Sequence, residues 1–124
     1  MNNRIPGRVK SRINIRKGRA TERGSGLNYA WHRHGGTGPS GKSQFTISQD
    51  ELIEILRRKN IIGAPVSALL SGNFAREVDV GQTIGSIPRE GGTIQTSVIT
   101  IITDLEGNLV NTFPGGLNRE VTLS

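Results

Sequence analysis

The stretch "TIQTSVITIITD", residues 93–104, constrains the fold more than any other part of this chain. It is β-branched almost throughout, and such side chains lose freedom in a helix but pack well on a pleated surface. It therefore predicts a strand. "LEGN" follows as a turn and "LVNTF" (109–113) returns as the partner strand, which makes a hairpin. With Thr103 opposite Leu109, Thr100 lies opposite Thr112. One face then carries Ile99, Ile101, Leu109 and Phe113, apolar enough to pack on helices, and the other carries Thr96, Val98, Thr100 and Thr112. A one-residue slip at the turn would change that pairing. On the residues alone, the threonines read as good strand formers on a solvated face.

Upstream, "FAREVDV" (74–80) alternates as a second strand, and the Gly-rich link after it has room for a short strand near Ile84. Before residue 74 the pattern is helical. Ser48 with Glu51 forms a capping box, Asp50 and Glu51 favour the positive helix end, and Leu52, Ile55 and Leu56 share one face. Arg57, Arg58 and Lys59 fall in the last turn and Asn60 caps it. A second helix is expected from Pro65 to Ser71, with Pro at its start and Gly72 just past its end. Helices followed by an antiparallel sheet define an α+β fold, with N-terminal helices packed on a small sheet.

With 124 residues the chain is one small domain. It has no Cys, which excludes a disulfide framework and cysteine-based metal sites or nucleophiles. Aromatics at 4% and 17 glycines imply an aliphatic core and many loops. There is neither a long apolar run nor a signal-peptide pattern, so no membrane anchor is expected, and export would need a longer parent chain or a dedicated machine. The net charge of +6 is unevenly placed: residues 1–24 hold eight basic residues against Glu22 alone, and the remainder sums to −1. Residues 1–26 are accordingly read as a basic, flexible arm or linker, and 27–124 as the functional domain. Val9, Ser11, Ile13 and Ile15 alternate with charge, which fits either a short strand or no fixed structure. The arm suits a polyanion or serves as a solvated linker.

Gly36 to Ser43 match G-x-x-x-x-G-K-S, the pattern of a phosphate-binding loop. Such a loop needs a buried strand before it and a helix opening at the Lys-Ser pair. Here polar "NYAWHRHG" precedes it, "SQFTI" follows, and helix signals begin only at Ser48. "VITIITD" (98–104) does resemble an acidic magnesium-holding strand, but too few elements are present for a parallel nucleotide-binding domain. A small NTPase is thus a rival reading rather than the leading one.

Both histidines, His32 and His34, lie in "WHRHGG", with Arg33 between them and Lys42, Ser43 and Thr46 following. Without a nearby carboxylate or Cys they make a poor metal site. An imidazole, a fixed cation and hydroxyls in a Gly-rich loop are the parts of a metal-free ribonuclease. One group takes the proton of the ribose 2′-OH, another protonates the leaving 5′-oxygen, and cations stabilise the phosphate between them.

"WHRHGG…GKSQF", a helix, "FAREVDVGQTIG" and "TSVITIITDLEGNLVNTFPG" together resemble the C-terminal toxin domains of bacterial contact-dependent inhibition and polymorphic toxin systems. Among these the likeness is to the ribonuclease fold shared by barnase, EndoU, the tRNase colicins and RelE (BECR), and it covers about residues 27–116. The resemblance implies helices before a four-stranded antiparallel sheet, no cofactor, and tRNA as a common target. It implies His34 as the acid/base and Lys42 as the phosphate-stabilising cation. Thr96 and Thr112 become sheet hydroxyls and Arg76 a second cation. No Glu in the first half is placed as in barnase-like members, which leaves the second proton-transfer role to His32. It also implies release from a larger secreted or cell-surface carrier, action in the cytoplasm of a target cell, and a cognate immunity protein. The chief rival is a non-catalytic nucleic-acid-binding module that works through the basic arm.

Overall fold

A computed structural model describes residues 5–18, 25–36 and 42–117. The fold is α+β, with two small antiparallel sheets and a few short helices. In chain order the elements are α1 (Gly7–Lys10), α2 (Leu27–His34), β1 (Gln44–Phe45), α3 (Gln49–Leu56), α4 (Lys59–Ile62), β2 (Ser67–Ala68) and β3 (Phe74–Asp79). They continue with β4 (Gly85–Arg89), β5 (Gly92–Thr96), β6 (Val98–Thr103) and β7 (Leu109–Pro114). The larger sheet has the order β2-β3-β6-β7 and the smaller one β1-β4-β5. Among the described residues, no helix is long and apolar enough to cross a membrane.

Helix α3 forms where its cap dictates. The Ser48 hydroxyl accepts the N–H of Glu51 at 3.1 Å, an N-cap that is worth about 1 kcal/mol. Leu52, Ile55 and Leu56 are fully buried, each contributing about 1.5–3 kcal/mol on leaving water. They join Phe45, Ile61, Ile84, Ile99, Ile101 and Leu109 in one core cluster. The helix stops at Leu56 rather than running through Lys59, because Arg58 is extended and caps α4. The helix expected at 65–71 is absent. Ser67 and Ala68 instead pair with Ala75 and Phe74 as edge strand β2. A seven-residue helix is marginal by itself, whereas the tight turn back to β3 supplies ladder partners at once.

The 93–104 stretch is two strands rather than one. It breaks at Ser97, and its halves join different sheets: β5 pairs with β4, and β6 with β3 and β7. Thr96 fixes the corner, its hydroxyl accepting the N–H of Val98 at 3.1 Å.

The hairpin starts as expected, with Thr103 opposite Leu109, but the register then shifts by one residue. Val110 has no register partner in β6, its carbonyl instead accepting the N–H of Gly26 at 2.8 Å, so Asn111 faces Ile102, Thr112 faces Ile101 and Phe113 faces Thr100. The expected pairing of Thr100 with Thr112, and the face assignment drawn from it, are therefore corrected. Residues opposite one another share a face. Thr112 thus lies on the core side with Ile101, and Phe113 on the other side in a row with Thr100 and Glu77.

The described part of the basic arm is built into the body. Val9 is fully buried, Asn14 bridges to Asn108, and the N–H of Leu109 donates to the Asn14 carbonyl at 2.9 Å. A boundary at residue 26 does not separate this segment from the packing of the rest. Its cations Arg8, Lys10, Arg12, Arg16 and Lys17 remain exposed, a basic strip of sequence in which Arg8 pairs with Glu106 at 3.4 Å and Arg16 donates to the Ser25 hydroxyl at 2.8 Å. The expected arm residues 1–4 and 19–24 lie outside the described residues.

Candidate active site

Helix α2 places the central histidine. Leu27, Ala30, Trp31 and His34 follow the i, i+3, i+4, i+7 spacing of one helical stripe. Leu27 and Ala30 are buried, and Trp31 stacks on Phe45 with ring centroids 5.9 Å apart. His34 ends that stripe and is only 5% exposed. The chain turns immediately after it at Gly35, where a Cβ would collide with the Trp31 carbonyl and indole ring.

The ends of the loop from 35 to 43 are tied together by one side chain. The Gln44 amide oxygen accepts the N–H of Gly36 at 2.8 Å, and its nitrogen donates to the carbonyls of Arg33 at 3.0 Å and Lys42 at 3.4 Å. That bracket brings Ser43 against His34. Nδ1 of His34 lies 2.7 Å from the Ser43 main-chain oxygen, which can only accept. Nδ1 therefore carries the hydrogen, and in the neutral ring Nε2 keeps its lone pair. Nε2 has no hydrogen-bond partner among the described residues. Burial, chiefly, pushes the His34 pKa below 6.5; the Ser43 bond opposes this, and Arg33 and Lys42 add repulsion. The ring is neutral at pH 7, the state of a proton acceptor.

Ser43 and the Phe113 ring, whose centroid is 5.5 Å from that of His34, also line an open cleft of about 400 Å³. Its other walls come from Ile87, Pro88 and Arg89 of β4 and from the turn at 114–116. Arg89 is exposed at this cleft and Lys42 is exposed next to Ser43. His34 itself is not among the residues that line the cleft; it lies behind Ser43 and Phe113, with the Arg33 and Lys42 charges close enough to act on its ring.

The remaining predicted residues are elsewhere or otherwise engaged. His32 is exposed on the opposite side of the α2 stripe. Thr112 is fully buried and donates its hydroxyl to the Thr100 carbonyl at 2.8 Å. Thr96 holds the β5–β6 corner. Arg76 is fully buried and donates to the carbonyls of Ile62 at 2.9 Å, Val9 at 2.7 Å and Lys10 at 3.2 Å, which docks α1 and α4 onto β3. Thr112 and Arg76, both fully buried, are not available to a substrate as they stand.

Sequence reasoning misses Arg89 and the outward position of Phe113, and it reads Ser43 for its hydroxyl rather than its carbonyl. Phe113 was turned inward by a register that lacked the bulge. Arg89 follows a proline in a Gly-rich link and carries no motif. Ser43 acts through a main-chain carbonyl, which leaves no trace in side-chain chemistry.

The G-x-x-x-x-G-K-S stretch has the order helix, loop, strand: α2 precedes it and β1 follows. A phosphate-binding loop needs strand, loop, helix, so no helix N-terminus opens at Lys42 and Ser43. Residues 37–41 of the stretch lie outside the described residues. Asp104, at the end of the acidic strand considered for magnesium, accepts the N–H groups of Glu106 and Asn108, each at 2.9 Å, and so staples the hairpin turn.

Comparison of the chain with protein-family models, curated proteins and solved structures found no match.

Proposed function

We propose that this chain is a metal-independent ribonuclease of the toxin class, with a BECR-like fold and RNA, tRNA in particular, as its substrate. One observation carries the reading: His34 is held neutral against Ser43 and Phe113, two walls of a cleft that Arg89 also lines, with Nδ1 locked by Ser43 and Nε2 uncommitted. Nε2 takes the proton of a ribose 2′-OH, whose oxygen attacks the adjacent phosphorus. The bond from phosphorus to the 5′-oxygen breaks, leaving a 2′,3′-cyclic phosphate. Lys42 and Arg89 stabilise the charge that gathers on the phosphoryl oxygens. The proton for the leaving oxygen comes from solvent, because His32 faces away from His34 on α2. Delivery from a larger secreted carrier into the cytoplasm of a competing cell, and an immunity protein with an acidic face over the 32–42 loop, belong to the same proposal.

The test is incubation of purified chain with bulk tRNA in excess EDTA. Fragments ending in 2′,3′-cyclic phosphate are expected, with a loss of about 10²–10⁴-fold in His34→Ala. Intact tRNA in EDTA, with cleavage restored by magnesium, overturns the mechanism.

The basic strip of residues 8–17 favours one other reading, a nucleic-acid-binding module without chemistry. Deleting the strip is a poor test, because it strips Val9 from the core and two hydrogen bonds from Arg76. Neutralising Lys10, Arg12 and Lys17 to Gln keeps the packing. The module loses its affinity under that change, whereas the ribonuclease still cleaves.

A further inference from the structure

We infer that the cleft beside His34 is a stacking site for a single unpaired nucleobase, with Phe113 as its platform. The inference rests on the ribonuclease reading of the same site and adds what it requires of the substrate: the scissile nucleotide must be single-stranded. Phe113 is half-buried and lines the cleft, and Ile87 and Pro88 supply apolar walls around it. The volume of about 400 Å³ is of the size of a small-ligand pocket, enough for a nucleotide and not for a duplex. Arg89 brings a cation to the β4 side, and Lys42, the chain neighbour of the lining residue Ser43, is exposed. Aromatic rings take bases of any identity by their faces, and cations beside such a ring take the phosphates. With ring centroids 5.5 Å apart, a base seated on Phe113 brings its own ribose within reach of the imidazole. A base inside a helix is stacked on both faces and has none to give.

The aromatic is placed by the bulge. Without the extra residue at Val110, Phe113 would turn to the core face and the cleft would have no ring. This gives the irregularity in an otherwise regular hairpin a purpose: it re-aims one side chain at the site.

The experiment measures binding of a fluorescein-labelled oligo-dT by the intact chain in about 0.1 M salt, alongside the same strand annealed to its complement. The DNA strand lacks the 2′-OH, so the measurement is independent of any cleavage. Binding of the single strand is expected, with the duplex at least tenfold weaker. Phe113→Ala should weaken single-strand binding by about 5- to 150-fold, the range for one base–aromatic stack, while Phe113→Trp retains it. Circular dichroism on each variant confirms the fold. Equal affinity of Phe113→Ala and the native chain, absence of binding, or equal affinity for duplex overturns the inference. If tRNA is left uncut while binding of oligo-dT depends on Phe113, the ribonuclease reading falls and the stacking site stands.

Discussion

Nδ1 of His34 donates to the main-chain oxygen of Ser43 across 2.7 Å, and with the Gln44 side chain that bond ties the end of α2 to the start of β1. Burial holds the ring below its ordinary pKa of 6.5. The unfolded chain therefore binds a proton that the folded one rejects as pH falls through 6.5. Stability from this group is fully present above pH 6.5 and declines below it, toward the lowered folded value. Urea midpoints taken from pH 7.5 down to pH 5 should fall on the acid side. His34→Asn, whose amide keeps a donor for Ser43 but does not titrate, should lose that part of the slope. An identical slope in both proteins would assign the acid sensitivity to other groups.

If His34 is the base of the proposed ribonuclease, the same lowered pKa sets the acid limb of its activity. A base that stays neutral to below pH 6.5 keeps kcat/KM level down to that point, with the fall beginning only beneath it. Initial rates on tRNA across pH 4.5–8 check this. A limb centred above pH 6.5 would rule out His34 as the base.

The hydroxyl of Thr112 separates a structural role from a catalytic one. It is buried and donates to the Thr100 carbonyl, and the Thr100 hydroxyl donates onward to the Gly115 carbonyl at 2.7 Å. Thr112→Val removes the donor at almost constant volume and should cost about 1–3 kcal/mol in urea unfolding. Thr112→Ser keeps the bond and should cost less. Cleavage per folded molecule should stay within a few-fold in both. A thousandfold loss in a fully folded Thr112→Val would return Thr112 to the chemistry.

What the sequence made legible follows from how local each signal is. The Ser48 cap, the apolar face of α3 and the identity of β3, β6 and β7 depend on neighbours within a turn or a strand, and they stand as read. The break at Ser97 does not announce itself, because both halves of 93–104 are good strand; only the two partners, β4 and β3, pull them apart. The bulge at Val110 has no glycine to mark it, so the register could not be fixed and Phe113 was placed on the wrong face. Helix α2 carries a readable stripe through Leu27, Ala30, Trp31 and His34, yet its polar remainder obscured it. The resemblance makes Arg76 a second cation of the site, because nothing in "FAREVDV" reveals that α1 folds over it.

Arg76 is the pin of the N-terminal segment. Three carbonyls, from Val9, Lys10 and Ile62, depend on its guanidinium, and no carboxylate accompanies it among the described hydrogen bonds. Arg76→Met fills much of the space but strands those acceptors, each costing about 1–3 kcal/mol if left unpaired. A total loss of about 3 kcal/mol or more is expected, together with early hydrogen exchange at Val9 and Lys10. Arg76→Lys should recover part of the loss. Unchanged protection of α1 in Arg76→Met would show that the apolar contact of Val9 alone docks the segment.

The two sheets meet at Gly85, and the meeting tolerates no side chain. A Cβ there would run into the Cβ and Cγ of Pro114 and stand 2.7 Å from the Gln44 carbonyl, so β1, β4 and the end of β7 all close on one point. Gly85→Ala must push them apart, at about 1–3 kcal/mol for an overpacked contact. Gly7 is the control, because a Cβ there meets nothing within 4 Å and the residue opens α1 without a left-handed backbone. Gly7→Ala should stabilise by about 0.4–1 kcal/mol through the unfolded chain. The Gly85 change should also disturb the cleft, since Pro114 and β4 form two of its walls. KM for tRNA should then rise more than kcat falls, because the walls move while His34 and Ser43 keep their bond. Thermal unfolding of both variants, with KM and kcat for Gly85→Ala, tests the argument. A stable Gly85→Ala with native KM would mean that the sheets part freely at this point and that the cleft does not depend on their junction.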